Sequence, residues 1–193
     1  FADINPGSGS SFTQDLTDTS LGLFFSASNI SSGNNSELYH VSNAGSVHLV
    51  KEIHPTSASL QRDTATNERC KPSFTELNNY VYFFANDGVH GFELWRSDGS
   101  AVNTAIVKDI NPDAAGSCGG DRSGNHTMLT IGNTLYFQAQ DSENNVELWK
   151  SDGTATGTVM VKDINAAGSS SISDMRVAGN ILYFNANDGI NGK

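Results

Sequence analysis

A segment that occurs three times sets the strongest limit on what this chain can fold into. The copy at residues 147–164, ELWKSDGTATGTVMVKDI, is similar to ELWRSDGSAVNTAIVKDI at 93–110 and to ELYHVSNAGSVHLVKEI at 37–53. Four aromatic runs, three of them upstream of these copies, begin at Leu23, Val81, Leu135 and Leu182. Their starts lie 58, 54 and 47 residues apart, and such periods are typical of propellers and solenoids rather than of single-core enzymes.

Each repeat has the sequence pattern of β-strands separated by turns. Apolar and aromatic runs of four to seven residues alternate with clusters of Gly, Asn, Asp and Ser, without an amphipathic helical period of useful length. Four short strands in about 50 residues predict one propeller blade per repeat. We therefore predict an all-β chain, a β-propeller built from four-stranded antiparallel blades with about three and a half repeats and almost no helix. A linear β-repeat array is the alternative.

The repeats also predict the organisation of the chain, which we treat as one propeller or part of one. FADINP at the start matches VKDINP at residues 107–112, so the first residues are expected to be the last strand of a repeat in a longer protein. The predicted boundaries are a remnant at 1–10, blades at 11–55, 73–112 and 126–166, inserts at 56–72 and 113–125, and a partial blade at 167–193.

The net charge limits the class of partner. With 21 acidic and 11 basic residues the chain carries a charge of −10, whereas nucleic acids and anionic membranes attract clustered cationic charge. No transmembrane run is present. We therefore expect no nucleic-acid partner and no membrane insertion.

The aromatic residue of the repeated segment is Tyr39, Trp95 or Trp149. A residue type that recurs at one repeat position is first of all a packing residue, and each ring is predicted to bury about 150 to 250 Å² between neighbouring blades. A ligand-binding platform of the same three rings is the alternative. The Lys-Asp or Lys-Glu pairs at 51/52, 108/109 and 162/163 are interpreted as charges that protect the outermost strand from edge pairing.

Asp98-Gly99 and Asp152-Gly153 follow the aromatic strand and predict hairpin turns. Asp satisfies nearby backbone N–H groups, and Gly adopts a positive φ. A carboxylate-rich turn also suits Ca²⁺, but each loop offers one acidic side chain where calcium takes about six to eight oxygens. We therefore expect no cofactor, with Ca²⁺ as the alternative.

His40 and His48 flank the SNAGS segment of the first repeat. If that segment is a hairpin turn centred on Ala44, the two histidines face each other as cross-strand partners. Two imidazoles are ligands for a transition metal, but no third ligand is evident. Ordinary surface histidines are the competing interpretation.

Two further features depend on the compartment of the protein. Cys70 and Cys118 lie in equivalent inserts, so a disulfide between neighbouring repeats is a candidate if the protein is secreted. Three N-x-S/T triplets in predicted loops are candidate glycosylation sites if the source is eukaryotic, namely those at Asn29, Asn34 and Asn125.

The strings ELWRSDG, ELWKSDGT and VKDINP resemble the ELWxxDGT repeat family of large, mostly bacterial, secreted or surface-attached proteins. The third repeat matches the whole signature, from Glu147 through Trp149 to Thr154. The second has Ser100 in place of Thr, and the first keeps the Glu-Leu pair and the VKEI end. The blades look more distantly like those of TolB-type propellers. The resemblance implies an extracellular repeat module, without an enzymatic activity to assign to particular residues.

The sequence contains no nucleophile elbow, phosphate loop, zinc spacing or Ser/His/Asp order. The leading hypothesis is a non-enzymatic structural or adhesive module at the cell surface, whose partners are other copies or repeats of the same protein, in a fibre or larger array. A lectin-like propeller that binds cell-surface glycans is the first alternative. The second is a polysaccharide-active enzyme, with Asp87, Asp141 and Asp188 as candidate carboxylates, although these occupy equivalent turns.

Overall fold

The computed structural model describes residues 3–5, 10–28, 36–60, 73–112, 116–118, 127–143 and 145–193. Regular structure within these ranges is entirely β, with fourteen strands and no helix. In particular, the ranges hold no helix with the length and hydropathy that crossing a bilayer requires. Most of the predicted inserts at 56–72 and 113–125 lies outside the described residues.

The described strands form three four-stranded antiparallel sheets and one two-stranded sheet, each with its strands in chain order. The first sheet contains β1 (Gln14–Thr19), β2 (Gly22–Ser28), β3 (Ser36–Ser42) and β4 (Val47–Lys51). The second contains β5 (Thr75–Leu77), β6 (Tyr80–Asn86), β7 (Phe92–Ser97) and β8 (Ala105–Lys108). The third contains β9 (Leu129–Ile131), β10 (Thr134–Gln140), β11 (Val146–Ser151) and β12 (Val159–Lys162). The fourth contains β13 (Ser173–Ala178) and β14 (Ile181–Asn185).

The three complete sheets share one register and one irregularity. The repeated aromatic residue pairs with a Phe of the preceding strand, as Phe25 with Tyr39, Phe83 with Trp95 and Phe137 with Trp149. A bulge just before this aromatic residue interrupts the pairing of the third strand with the fourth in every sheet. Because a bulge bends its strand and increases the local twist, the three sheets bend at the same place.

Consecutive sheets pack face to face and share apolar cores. The core between the first and second sheets contains Phe24, Leu38, Phe83 and Trp95. The core between the second and third sheets contains Leu94, Val107, Phe137 and Trp149. The core between the third and fourth sheets contains Leu148, Ile172 and Met175. The second strand of each complete sheet is buried along most of its length, which is typical of strands that are covered on both faces. We call the three interfaces, in chain order, the first, second and third junction.

This arrangement confirms the predicted fold class. Four-stranded antiparallel sheets that stack face to face in chain order are neighbouring blades of a β-propeller. The described part of the chain does not close into a ring.

Candidate functional site

The repeated aromatic residues lie inside the stack of sheets. Tyr39, Trp95 and Trp149 are 6%, 6% and 7% exposed. Trp95 belongs to the core of the first junction and Trp149 to that of the second, while Tyr39 packs with Phe25 and Ile4 on the other face of the first sheet. Because protein covers the three rings, their burial favours packing and argues against a ligand-stacking platform.

A lysine from the preceding sheet reaches each tryptophan. The Nζ atoms of Lys51 and Lys108 lie 5.9 and 5.8 Å from the ring centroids of the tryptophans in the next sheet. The same ammonium groups donate to the backbone carbonyl oxygens of Thr104 and Thr158, each over 2.8 Å. These lysines therefore cross the junctions, which the interpretation as edge protection did not foresee. Each supplies a cation–π contact and a charge-assisted hydrogen bond to the neighbouring sheet.

The glutamate that opens each repeated segment is buried. Glu37, Glu93 and Glu147 are at most 1% exposed. In all three, one carboxylate oxygen accepts the backbone N–H of the isoleucine that follows the fourth strand, over 3.0 Å. The carboxylate therefore fixes the chain at the point where it leaves one sheet for the next.

A buried serine in the linker completes this contact. Ser59 and Ser117 donate their hydroxyls to the carboxylates of the first and second sheets. The backbone N–H of Ser59 bonds to the carbonyl of the first residue of β3, while its own carbonyl accepts the N–H of Asn86 at the end of β6. Ser117 and Ser170 make the equivalent pair of backbone bonds at the second and third junctions. Each of these serines bridges two sheets.

Burial raises the pKa of Glu37 and of Glu93 from 4.5 to about 7. The serine hydroxyls and backbone N–H groups act in the opposite direction without offsetting the loss of water. Sequence reasoning does not single out these glutamates, because charged residues are rarely fully buried. The signal in the sequence is an identical Glu before a core Leu in all three copies.

The glycine after each turn aspartate contacts a side chain of the preceding sheet. Gly99 has a φ of +91°, and a Cβ there would lie 2.6 Å from Nδ1 of His40. Gly153 has a φ of +92°, and its Cβ would lie 2.2 Å from the hydroxyl oxygen of Tyr82. Arg96 donates to the carbonyl oxygen of Gly153 over 2.8 Å. Both the backbone conformation and the space favour glycine, so the Gly of the signature is a docking residue.

In the second and fourth repeats a second glycine docks in the same manner. Gly88, between β6 and β7, rests on the imidazole of His54, and Gly189, after β14, rests on the side-chain amide of Asn165. His54 and Asn165 hold the same position in the linker that follows the fourth strand. The first junction therefore includes two glycine turns of the second sheet, each seated on a histidine of the preceding repeat.

The turn aspartates are occupied by their own turns. Asp98 accepts the N–H and the hydroxyl of Ser100 and the side-chain amide of Asn103. Asp152 accepts the N–H and the hydroxyl of Thr154, and these bonds lower the pKa of its carboxyl. Over the described ranges no three His, Cys, Asp or Glu side chains are grouped as metal ligands. The two carboxylates thus have the chemistry expected of hairpin turns, and one carboxylate per turn falls short of a calcium shell.

His40 and His48 are cross-strand partners, as the hairpin interpretation of SNAGS requires. Their ring centroids lie 5.2 Å apart in an edge-to-face arrangement. Nε2 of His40 lies 3.0 Å from the carbonyl oxygen of Leu21, and Nε2 of His48 lies 3.1 Å from that of Gly99. Both Nε2 atoms are thereby engaged, and the pair belongs to the first junction, where it holds a turn of the second sheet.

The three aspartates considered for polysaccharide chemistry accept backbone N–H groups of their own loops, namely Asp87, Asp141 and Asp188. Asp87 also pairs with Nδ1 of His90 over 2.7 Å, and Asp188 accepts the side-chain amide of Asn191 over 2.7 Å. His90 and Asn191 hold equivalent positions, so the Asp-His pair is a turn contact that an amide also makes. Hydrogen bonds from Asn191 lower the pKa of Asp188 to about 2.

The remaining predicted sites lie partly or wholly outside the described residues. Cys118 is buried and disulfide-bonded. The chain has one other cysteine, Cys70, which lies outside the described residues. The same holds for the candidate glycosylation sites Asn29, Asn34 and Asn125.

Comparisons with known proteins add little to this description. Neither a scan against protein-family models nor a search of curated proteins gave a match. Among solved structures, the chain is similar to a protein described as Bacteroides ovatus xyloglucan PUL GH43B, with a TM-score of 0.44 and 14% sequence identity. The similarity covers 91% of this chain and 36% of that chain, so this chain spans about a third of its length.

Proposed function

We propose that this chain is a non-enzymatic structural module of an extracellular or cell-surface protein of the ELWxxDGT type, whose signature residues join each repeat to the next. The main support for this proposal is that the signature residues make contacts between neighbouring repeats. Its Glu binds the linker, its Trp fills the junction core, and its Gly docks on the preceding sheet. The disulfide at Cys118 supports an oxidising compartment, because disulfides are rare in the cytosol.

The carboxyl groups of the repeats also favour a structural role over catalysis. A raised pKa is often a mark of a general acid. However, Glu37 and Glu93 are at most 1% exposed and are bonded to linker groups, so a polysaccharide does not reach them. The turn aspartates already accept several donors from their own loops. These contacts support carboxylates that order the fold.

We further propose that the module is a building block of a longer array, with other repeats or copies as its partners. The first and second sheets each offer the next one the same lysine, linker and aromatic contacts. Repeats that contact only their neighbours can be added in series without redesign of the rest.

Glycan arrays and polysaccharide hydrolysis assays on the purified chain test the proposal. We expect neither saturable glycan binding nor release of reducing sugar. The matched variants are Asp141→Asn for hydrolysis and Trp149→Phe for binding. The lectin hypothesis would be supported if the chain binds a glycan and the Trp149→Phe variant loses this binding while it keeps the fold. The enzyme hypothesis would be supported if the chain hydrolyses a polysaccharide and the Asp141→Asn variant does not.

A further inference from the structure

The sequence contains four Asp-Gly bonds, and the structure describes all of them, at residues 87–88, 98–99, 152–153 and 188–189. An Asp-Gly bond is open to a reaction within the chain, because glycine has no side chain to hinder an attack by its own nitrogen on the aspartate Cγ. A bond forms between the nitrogen and Cγ, one water leaves, and a succinimide ring results. One water then opens the ring. Cleavage at the main-chain carbonyl leaves isoaspartate, whereas cleavage at Cγ restores aspartate.

In two of these turns a serine that precedes the aspartate binds the glycine N–H. Gly99 and Gly153 follow the third strands of their sheets and donate to the hydroxyl oxygens of Ser97 and Ser151, each over 3.0 Å. Both serines are fully buried. The glycine nitrogen, which is the nucleophile of the reaction, is therefore held by a fixed acceptor on the side away from solvent.

The other two turns follow second strands and use an amide for the same purpose. Gly88 and Gly189 donate to the Oδ1 atoms of Asn86 and Asn187, over 2.7 and 2.8 Å. A serine hydroxyl and an asparagine amide differ in length and chemistry, but each provides an acceptor one residue ahead of the aspartate. All four turns thus share the acceptor and not the residue type.

We propose that the four Asp-Gly turns are latent sites of isoaspartate formation, and that the side chain before each aspartate suppresses this reaction by holding the glycine N–H. The attack requires the peptide plane of the glycine to rotate until its nitrogen faces Cγ, and it requires the N–H proton to leave. A hydrogen bond to a fixed acceptor opposes both. The reaction therefore waits for the turn to open locally.

The carboxyl groups of these turns are also held in the less reactive form. Burial alone would raise the pKa of Asp87 and of Asp98, but the hydrogen bonds of their turns outweigh burial and lower it. Hydrogen bonds from Thr154 lower the pKa of Asp152. The aspartates are therefore ionised at neutral pH, and a carboxylate is a poorer electrophile than the neutral acid that loses water.

Isoaspartate in these turns would disrupt the junctions, because it lengthens the main chain by one methylene group directly ahead of a docked glycine. Gly99 and Gly153 rest on His40 and Tyr82 without space for one additional carbon atom. A displaced glycine would lose this contact and separate the turn from the preceding sheet. The proposal concerns the chemical durability of the junctions, which goes beyond the structural function proposed above and holds for either alternative as well.

The test is to incubate the purified chain at neutral pH and to measure isoaspartate at Asp152 over time by peptide mapping and mass spectrometry, in which the succinimide is lighter by one water. We expect Ser151→Ala to raise the rate about fivefold, the factor that corresponds to a hydrogen bond of about 1 kcal/mol. Thr158→Val is the matched control. It removes the same buried hydroxyl pair but keeps the bond from Gly153 to Ser151, so its rate should stay close to that of the wild type.

A second set of variants concerns Asp87, whose turn is partly exposed and tolerates change if Ser151→Ala fails to fold. Asn86→Ala should raise the rate at Asp87, whereas Asn86→Ser supplies the hydroxyl acceptor of the other turns and should restore a slow rate. Equal rates in Ser151→Ala and Thr158→Val would overturn the proposal, since general loosening of the turn would then explain the reaction. Rates in Asn86→Ala and Ser151→Ala that match the wild type would overturn it as well.

Discussion

The buried glutamates predict an unusual dependence of stability on pH. The pKa values of Glu37 and Glu93 are raised to about 7 in the folded chain, so the folded state binds these two protons more tightly than the unfolded state does. The stabilisation is therefore complete below the unfolded value of 4.5 and is lost as the pH rises through about 7. At about 1.4 kcal/mol per pKa unit, each carboxyl costs the fold about 3 kcal/mol between acidic and alkaline pH.

Glu37→Gln and Glu93→Gln form a matched pair that tests this prediction. Oε2 of Glu37 accepts the N–H of Ile53 and the hydroxyl of Ser59, and the amide oxygen of Gln can keep both bonds. Oε1 of Glu93 accepts the N–H of Asn111, and an amide in that carboxyl leaves one buried donor unpaired. Glu93→Gln therefore carries an additional cost of about 1 to 3 kcal/mol at every pH.

The assay is urea unfolding followed by tryptophan fluorescence between about pH 5 and about pH 8. We expect the wild-type free energy of unfolding to fall over this range and the fall to shrink by about 3 kcal/mol in Glu37→Gln. Wild-type stability that stays level or rises with pH would refute the reasoning. So would a Glu37→Gln variant that keeps the full wild-type dependence.

Three further predictions concern the junctions and turns. Gly153→Ala should lower the free energy of unfolding in urea by about 2 to 4 kcal/mol, because the added Cβ meets the Tyr82 hydroxyl. Gly45 also has a positive φ but open space around it, so Gly45→Ala should cost about 1 kcal/mol. Equal losses in the two variants would contradict glycine docking. Trp149→Ala should lower the free energy of unfolding by about 3 to 5 kcal/mol, because the ring fills a core. Lys108→Met should lower it by at most about 1 kcal/mol, because the lysine only covers the ring. A lower melting temperature for Lys108→Met than for Trp149→Ala would count against packing. Asn191 makes the same contact with Asp188 that His90 makes with Asp87. His90→Asn should therefore leave the urea midpoint unchanged, whereas His90→Ala should lower it. A lower midpoint in both variants would show that the imidazole itself is needed.

Much of the fold was predictable because its signals are local. The aromatic run that starts at Val81 lies between turn residues and was expected to form a strand, and β6 spans Tyr80–Asn86. The pairing of His40 with His48 followed from the position of one turn. Register and turn chemistry are properties of neighbouring residues, so a single sequence reveals them.

The junction contacts were less predictable because they join residues of different repeats. Lys51 bonds to Thr104, which lies 53 residues further along the chain. Gly99 is required by its contact with His40 as well as by its own turn. The sequence shows that Glu, Lys and Gly recur, but the partner of each is defined only when the sheets are stacked. Edge protection was therefore the more obvious interpretation of Lys51 and Lys108.

The seating of each turn glycine on a side chain of the preceding repeat has an evolutionary consequence. Gly99 rests on the imidazole of His40, whereas Gly153 rests on the phenol of Tyr82 and accepts from the guanidinium of Arg96. The φ of the glycine is nevertheless the same, +91° and +92°, so one turn conformation accepts different side chains of the preceding repeat. A repeat that is duplicated or exchanged by recombination should therefore fit a new neighbour without a compensating change in its turn.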